Sequence, residues 1–229
     1  MRRTPNETPL LCYVTDRRAL ANSAKAFIDL SAALAGTIAS AAHAGVDWIQ
    51  IREKDLAARE LLAFAQFAVG EAAKFTSPAR EFVRILINDR LDIALAAGAA
   101  GVHLGEQSIP IATVNAVRVA GVIPKDFLIG ASCHSLDAAR AAERDGADYV
   151  FFGPVFATPS KAALGAPQGI SRLAEVSRNL TIPVLAIGGV NEENAADCFA
   201  AGSAGIAAIR MFQESEDLPA LVARLRNKI

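Results

Sequence analysis

One short basic segment, Gln50-Ile51-Arg52-Glu53-Lys54, carries the residue types that most clearly suggest chemistry. If the segment is extended, alternate side chains point to the same side, so Arg52 and Lys54 face one way and Glu53 faces the other. Arginine offers a planar fork of donors and lysine a point charge, a combination that suits a diphosphate group. An ordinary solvated charge cluster has the same composition, so the segment alone leaves both interpretations open.

Two further segments could handle phosphate. Asn88-Asp89 offers an amide oxygen and a carboxylate that suit Mg²⁺ bridging phosphate oxygens, although an Asx turn or a helix cap would use the same residues. Gly188-Gly189-Val190-Asn191 has the form of a phosphate-binding turn, because glycines let backbone N–H groups approach an anion and a predicted helix begins at Asn191. A simple tight turn is the alternative for that segment.

Two histidines are candidates for acid–base chemistry. His103 lies inside the apolar run Gly101–Gly105, where a hydrogen-bonded core histidine is favoured over a catalytic one. His134 follows the end of another apolar run, and its ordinary pKa allows it to act as an acid or a base near neutral pH. The sequence therefore keeps His134 as a catalytic candidate.

The elements that would position these residues are eight nearly continuous apolar runs separated by longer, Ala-rich amphipathic segments. Runs that are apolar on both faces are typical of parallel strands buried on both sides. Several helical segments end at a glycine that leads into the next strand. The predicted strands are Leu10–Thr15, Trp48–Arg52, Arg84–Asn88, Gly101–Leu104, Leu128–Ser132, Tyr149–Phe156, Pro183–Ile187 and Gly205–Met211.

Eight strand–helix units in 229 residues predict a single (β/α)₈ barrel of the TIM type over residues 1–229, with a short tail at about residues 1–9. An open doubly wound sheet is the alternative. In such barrels the functional site lies at the C-terminal ends of the strands. Nearly every predicted strand delivers a polar or charged residue to that end, so we expect one phosphate-handling site there.

Composition narrows the partners. A net charge of −1 with mixed acids and bases gives no field for nucleic acid or membrane surfaces, and no apolar stretch reaches transmembrane length. Cys12, Cys133 and Cys198 lack metal-type spacing, which predicts reduced, packed thiols in a cytoplasmic protein. Small phosphorylated molecules are the expected partners, and self-association is left open.

The blocks together resemble the thiamine-phosphate synthase/TenI superfamily. They span roughly residues 12–212 in the family's order, which makes the set highly specific. The matching segments are Tyr13–Arg17, Gln50–Lys54, Ile87–Arg90, Gly101–Gly105, Ile129–His134, Asp148–Thr158, Lys161 and Ala186–Val190.

The resemblance implies a transferase of thiamine biosynthesis that joins a hydroxymethylpyrimidine diphosphate to a thiazole phosphate and releases pyrophosphate. By this resemblance the pyrimidine diphosphate is held by Gln50, Arg52, Lys54 and Asn88. Mg²⁺ is bound by Asp89, and the leaving pyrophosphate is contacted by Ser132 and Lys161. The thiazole phosphate is contacted by Thr158, Ser160, Gly188 and Gly189.

Two positions depart from the synthase pattern. Ser108 stands where the family has an aspartate as second Mg²⁺ ligand, and Arg210 stands where it commonly has a small residue at the thiazole phosphate. Arg210 could hold that phosphate or partly fill the site.

These departures keep two alternatives open beside the synthase. One is a TenI-like tautomerase, an isomerase of the thiazole carboxylate phosphate, with His134 as its acid–base residue. The other is a non-catalytic barrel that binds thiazole phosphate. The retained cluster of Arg52, Lys54, Asn88, Asp89 and Lys161 favours the synthase, since a tautomerase has little physical need for it.

Overall fold

The structure, a computed structural model, describes residues 8–21, 30–75, 83–158 and 166–228. Eight parallel strands pair in chain order, and the last pairs with the first, so the sheet is a closed barrel. The predicted barrel is confirmed, and the open sheet is excluded. The strands are β1 Leu10–Val14, β2 Trp48–Ile51, β3 Arg84–Asn88, β4 Gly101–Leu104, β5 Leu128–Cys133, β6 Tyr149–Phe152, β7 Val184–Ile187 and β8 Gly205–Ala208.

Helices follow the strands around the outside of the barrel. They are α1 Arg17–Ala21, α2 Leu30–Ala44, α3 Ala58–Ala73, α4 Leu91–Ala97, α5 Ile111–Val119, α6 Leu136–Arg144, α7 Gly169–Asn179, α8 Ala195–Ala200, α9 Arg210–Gln213 and α10 Leu218–Arg226. Most of the predicted N-terminal tail lies outside the described residues. In the described ranges, no helix combines the length and apolar character needed to cross a bilayer.

Apolar residues form two layers separated by the sheet. The larger layer fills the space between the strands and the helices. The smaller one lies inside the barrel and is formed by alternate strand residues, among them Trp48, Leu86, Tyr149, Phe151 and Leu185. Because these large side chains fill the interior, a ligand has access only at an end of the barrel.

Two αβ turns show how the glycine-ended helices lead into strands. Gly45 and Gly146 adopt φ values of 89° and 99°, the left-handed region that glycine tolerates. An aspartate two residues later then accepts the backbone N–H of the preceding strand, Asp47 from Leu11 at 2.6 Å and Asp148 from Ile129 at 2.7 Å.

The same two aspartates anchor arginines. Asp47 pairs with Arg226 of α10 at 2.8 Å, and Asp148 pairs with Arg118 of α5 at 2.5 Å. These pairs tie the outer helices to the N-terminal ends of the strands, the end of the barrel opposite the predicted site.

Two predicted strands extend three or more residues too far. β6 ends at Phe152, and the cis Gly153-Pro154 peptide follows it, where proline has no N–H to donate to a strand ladder. β8 ends at Ala208. The prediction that Arg210 lies late in that strand is wrong, because Arg210 is the first residue of α9 and its carbonyl accepts the N–H of Glu214 at 2.8 Å.

The helix predicted to begin at Asn191 is also shorter than expected, since α8 begins at Ala195. The side chains of Asn191 and Asn194 each accept the other's backbone N–H at 2.9 Å, which closes a separate turn before the helix. The turn after β7 is therefore followed by a second turn rather than directly by a helix.

The three cysteines are buried and unpaired, as predicted. Burial raises the pKa of Cys133 and of Cys198 to about 12, and it raises the pKa of Cys12 further. Because the thiolate is the reactive species, we expect alkylation of the native protein at about pH 8 to be about 100-fold or more slower than in denaturant. Mass spectrometry of iodoacetamide-treated samples measures this ratio, and rapid native modification of any of the three would contradict the packing role.

Candidate active site

The C-terminal ends of the strands bring the predicted residues of β2 to β5 to one mouth of the barrel. Trp48 and Leu86 point into the barrel, so the period of two directs Gln50 and Asn88 inward as well, nearer the mouth. Gln50 is 1% exposed, and its Nε2 atom has no hydrogen-bond partner within the described part of the chain. A buried amide without a partner is costly, so this donor is suited to a ligand.

The three charged residues of the basic segment after β2 differ in burial. Glu53 is only 4% exposed, Arg52 is half-buried and Lys54 is exposed. Thr15, directly after β1, donates its hydroxyl to Glu53 at 2.6 Å and accepts the backbone N–H of Arg52 at 2.9 Å. The buried carboxylate therefore ties the conformation of residues 52–54 to the neighbouring strand.

The acidic groups beside this segment are committed to other arginines. Arg17 forms two hydrogen bonds to Asp55, at 2.5 and 2.7 Å, and Arg18 lies 2.9 Å from the same carboxylate. The hydrogen bonds from Arg17 hold the pKa of Asp55 well below its ordinary range. Among described residues, neither Arg52 nor Lys54 has an acidic partner, which leaves two cations to meet an anion at the mouth.

Replacing Glu53 with glutamine tests whether its buried carboxylate fixes the conformation of residues 52–54. The amide keeps one acceptor but presents an NH₂ group to donors that now share a carboxylate, so we expect a loss of about 1–3 kcal/mol in the free energy of unfolding. We also expect about tenfold weaker binding of inorganic pyrophosphate, because Arg52 loses its fixed backbone.

Urea unfolding and calorimetric titration of pyrophosphate measure the two effects. Glu60→Gln is the matched control, since Glu60 is exposed at the start of α3 and accepts only the N–H of Ala57 among described residues. Equal behaviour of the two variants would contradict the role of Glu53.

Asp89, directly after β3, has an unusual backbone. Its φ is 67°, and its N–H donates to the carbonyl of His103 at 2.8 Å. A non-glycine residue in this region is uncommon and recurs at functional sites. The N-cap position of α4 is Arg90, which makes no side-chain cap bond, so the helix-cap interpretation of Asn88-Asp89 is wrong. The exposed carboxylate of Asp89 is open to a ligand.

The segment after β4 offers weak metal ligands. The hydroxyl of Ser108 accepts the N–H of Gly105 at 2.7 Å, which closes the loop on itself. Glu106 is exposed, and its carboxylate lies 4.0 Å from Nε2 of His134. Over the described residues, no group of three or more His, Cys, Asp or Glu side chains could hold a metal ion. A cation here would need oxygen atoms from a bound ligand.

Both histidines are placed by hydrogen bonds. His103 is buried, with Nδ1 3.1 Å from the hydroxyl of Tyr149 and Nε2 2.9 Å from the hydroxyl of Ser132, which confirms the prediction of a bonded core histidine. His134 is half-buried just after β5, and its Nδ1 contacts the carbonyl of Gly153. That contact leaves Nε2 of His134 facing Glu106.

The glycine turn after β7 is tightly packed. Gly188 and Gly189 have φ values of 92° and 66°, and an added Cβ would lie 2.6 Å from Pro154 Cα or from the Ala157 carbonyl oxygen, respectively. Asn194 donates its side-chain amide to the carbonyl of Gly189 at 3.0 Å. Only glycine fits these positions, because both the backbone angle and the close approach exclude a side chain.

Other predicted residues are distributed unevenly. Thr158 is half-buried at the end of the described segment after β6, whereas Ser160 and Lys161 lie outside the described residues. Arg210 is exposed at the start of α9, after β8. From the same helix, the buried Gln213 accepts the hydroxyl of Tyr13 at 2.9 Å and donates to the carbonyl of Asp16 at 2.7 Å. The sequence carried no periodic signal for Gln213.

The closed parallel barrel carries at its strand ends a strained aspartate, a glycine turn and two cations that have no acidic partner among the described residues. These are features of the class of α/β barrels that bind phosphorylated small molecules at that end. The thiamine monophosphate synthase family matches residues 14–212, and the chain belongs to this family.

Two relatives and one solved structure agree with this family assignment. A relative from Geobacter sulfurreducens, named provisionally as a thiamine-phosphate synthase, is 47% identical over 79% of this chain and 78% of its own length. The thiamine-phosphate synthase of Methanoculleus marisnigri is 41% identical over 82% of this chain and 84% of its own. A structure of thiamine phosphate pyrophosphorylase from Pyrococcus furiosus aligns with a TM-score of 0.75 at 31% identity, covering 95% of this chain and 94% of that one.

Proposed function

We propose that this chain is a thiamine-phosphate synthase, which couples hydroxymethylpyrimidine diphosphate with thiazole phosphate to give thiamine phosphate and pyrophosphate. The observation that carries the proposal is the pair Arg52 and Lys54 at the barrel mouth. Glu53 between them is buried and accepts the hydroxyl of Thr15, which also accepts the backbone N–H of Arg52, and neither cation has an acidic partner in the described chain. The names of the relatives support the same activity.

The diphosphate side of the site uses the residues of β2 and β3. Arg52 and Lys54 bind the diphosphate oxygens, while the unpartnered amide of Gln50 and the inward-facing Asn88 meet the pyrimidine end. Asp89 supplies a carboxylate for Mg²⁺, with Ser108 as a neutral second candidate. When bound, Mg²⁺ would neutralise charge on the diphosphate.

Mg²⁺ that keeps several waters and binds through one carboxylate and substrate phosphates matches this sparse donor set. The carboxylate of Asp89 is exposed, and no metal-ligating cluster exists among the described residues that could hold an ion without substrate. The residues therefore fit an ion that arrives with the diphosphate.

The reaction requires the protein to stabilise charge and does not require a nucleophilic side chain. Breaking the C–O bond of the pyrimidine diphosphate leaves both electrons on the diphosphate and creates a methylene cation that the pyrimidine ring stabilises. Arg52, Lys54, Ser132 and Lys161 stabilise the departing negative charge. The lone pair of the thiazole nitrogen then forms the new C–N bond to the methylene carbon, so no covalent enzyme intermediate is needed.

The thiazole side lies across the mouth, at the ends of β6 to β8. The turn at Gly188 and Gly189 gives backbone access to the thiazole phosphate, and Thr158 and Ser160 contact the thiazole. Arg210 is exposed at the start of α9, so in this assignment it approaches the phosphate from solvent and does not fill the barrel.

Complementation tests the proposed function in a cell. A bacterial strain that lacks its own synthase should grow without thiamine when it carries this chain, and should fail when it carries the Arg52→Ala variant at equal protein level. Failure of the unaltered, well-expressed chain would contradict the proposal.

A thiazole tautomerase is the second candidate, because His134 sits at the mouth with Nε2 directed toward Glu106. It predicts aromatisation of the thiazole carboxylate phosphate without any diphosphate, and loss of that turnover in His134→Asn. Tautomerase turnover without pyrophosphate release would replace the synthase assignment. Unchanged turnover in His134→Asn would exclude His134 as the acid–base residue.

A further inference from the structure

A buried hydrogen-bonded chain runs from the barrel interior to the mouth. The hydroxyl of Tyr149 lies 3.1 Å from Nδ1 of His103, and Nε2 of His103 lies 2.9 Å from the hydroxyl of Ser132. Tyr149 and His103 are 1% and 2% exposed, whereas Ser132 is half-buried. Only the last member of this chain can reach a ligand.

Packing fixes the inner end of the chain. The Tyr149 ring lies where Gly130 has no side chain, since a Cβ on Gly130 would approach the ring to 2.0 Å. Trp48 packs against the ring with centroids 4.6 Å apart, and Phe151 packs against His103 at 4.3 Å. The phenol and imidazole are therefore held in one arrangement, and only their protons can redistribute.

Burial raises the pKa of Tyr149 well above its ordinary value, so the group is a neutral phenol with one proton to donate. Among the described residues, His103 is its only hydrogen-bond partner. If Nδ1 of His103 carried the proton, the Tyr149 O–H would be buried without an acceptor, which is costly. The favoured arrangement is donation from Tyr149 to a bare Nδ1.

The consequence reaches Ser132. A neutral imidazole with a bare Nδ1 carries its proton on Nε2, so Nε2–H donates to the Ser132 oxygen. The hydroxyl proton of Ser132 is then not used by His103 and can be donated toward the mouth. In the opposite tautomer, Nε2 would accept that proton and Ser132 would present only lone pairs, which repel a phosphate oxygen.

We propose that Tyr149 and His103 are positioning residues that fix Ser132 as a hydrogen-bond donor toward the barrel mouth. The direction of this donor rests on the structure of the free protein. Its target, the leaving diphosphate, rests on the proposed function. Tyr149 and His103 touch no substrate in this account and act only through Ser132.

The tautomer of His103 is the direct test. Imidazole ¹⁵N chemical shifts separate protonated from bare ring nitrogens, and the sequence has only three histidines, with the His103 signals assigned by their loss in His103→Gln. The spectra are recorded without ligand about two units above the ordinary imidazole pKa of about 6.5. We expect the proton on Nε2, and a proton on Nδ1 would overturn the proposal.

Tyr149→Phe keeps the ring and removes the donor. We expect the His103 ring to become a mixture of tautomers, while Tyr13→Phe, which removes another buried tyrosine hydroxyl, leaves it on Nε2. Both variants lose a buried hydrogen bond, so a similar loss of thermal stability is expected in each. An unchanged tautomer in folded Tyr149→Phe would contradict the proposed donation.

A double-mutant cycle tests whether the hydrogen-bonded chain Tyr149–His103–Ser132 affects the binding of an anion. With inorganic pyrophosphate and Mg²⁺ as the probe, Ser132→Ala and Tyr149→Phe should each weaken binding by about tenfold, and the double variant should bind no more weakly than Ser132→Ala alone. Tyr13→Phe should add independently, within error, to Ser132→Ala. Additive losses for Tyr149→Phe would overturn the coupling to Ser132.

The two proposals fail separately in these experiments. An Nε2 tautomer together with non-additive pyrophosphate binding supports the positioning role even if the chain makes no thiamine phosphate. Conversely, full synthase activity together with an Nδ1 proton would leave the proposed function intact and remove the positioning role.

Discussion

Arg52→Ala is expected to lower kcat/KM for pyrophosphate release by about 100- to 1,000-fold, the range seen when one donor that stabilises transition-state charge is removed. Arg52 is half-buried, its backbone is fixed through Thr15 to Glu53, and no described acid neutralises it. Its charge is therefore available to a bound ligand, because no described acidic side chain neutralises it. Steady-state release of pyrophosphate with both substrates measures the loss.

Two comparisons separate charge from fold. Arg178→Ala removes an exposed arginine at the end of α7, on the side of the barrel away from the strand ends, and should leave kcat/KM unchanged. Arg52→Lys should recover only part of the activity, because lysine lacks the planar fork. Full activity in Arg52→Lys would show that the planar guanidinium is unnecessary. Full activity in Arg52→Ala would show that Arg52 does not bind the diphosphate.

Asp89→Asn is expected to lower activity by about 100-fold at limiting Mg²⁺, with partial recovery when Mg²⁺ is raised. Asparagine tolerates the left-handed backbone that Asp89 adopts at φ 67°, so this variant removes the charge without adding strain. The loss should therefore appear in the Mg²⁺ dependence and not in the thermal midpoint. A titration of Mg²⁺ against the rate at saturating substrates measures it.

Asp92→Asn is the matched control. Asp92 is an exposed carboxylate in the first turn of α4 that pairs with Arg90 at 2.5 Å, and its removal should leave the Mg²⁺ dependence unchanged. An Asp89→Asn enzyme with an unaltered Mg²⁺ dependence would show that this carboxylate does not serve the metal. A chelator should abolish turnover in the unaltered protein if Mg²⁺ is required at all.

The sequence predicted the barrel because its signal is repeated. All eight apolar runs overlap a strand, two of them, Arg84–Asn88 and Gly101–Leu104, match it residue for residue, and Gly45, Gly98, Gly146 and Gly202 each end a helix before a strand. Errors fell where one residue could belong to two elements. Ile209 and Arg210 lie within the predicted strand Gly205–Met211. In the structure the strand ends before them, and a short helix begins at Arg210.

For the candidate site, the sequence predicted residue types but not their supports. Alternation in the sequence predicted that Glu53 would be set apart from Arg52 and Lys54, and of the three only Glu53 is buried. That Glu53 is bound by Thr15 depends on a contact between residues 38 apart in the chain, which no local pattern contains. The same holds for Tyr149 and His103, separated by 46 residues.

One ³¹P NMR time course that follows both phosphorylated substrates tests the synthase assignment. With Mg²⁺ and both substrates, we expect the pyrimidine diphosphate signals to convert to inorganic pyrophosphate as thiamine phosphate forms in equal amount. Little conversion is predicted when the thiazole phosphate is omitted. If no pyrophosphate forms with enzyme present at substrate-level concentration, or if it forms without thiamine phosphate, the chain is not the synthase proposed here.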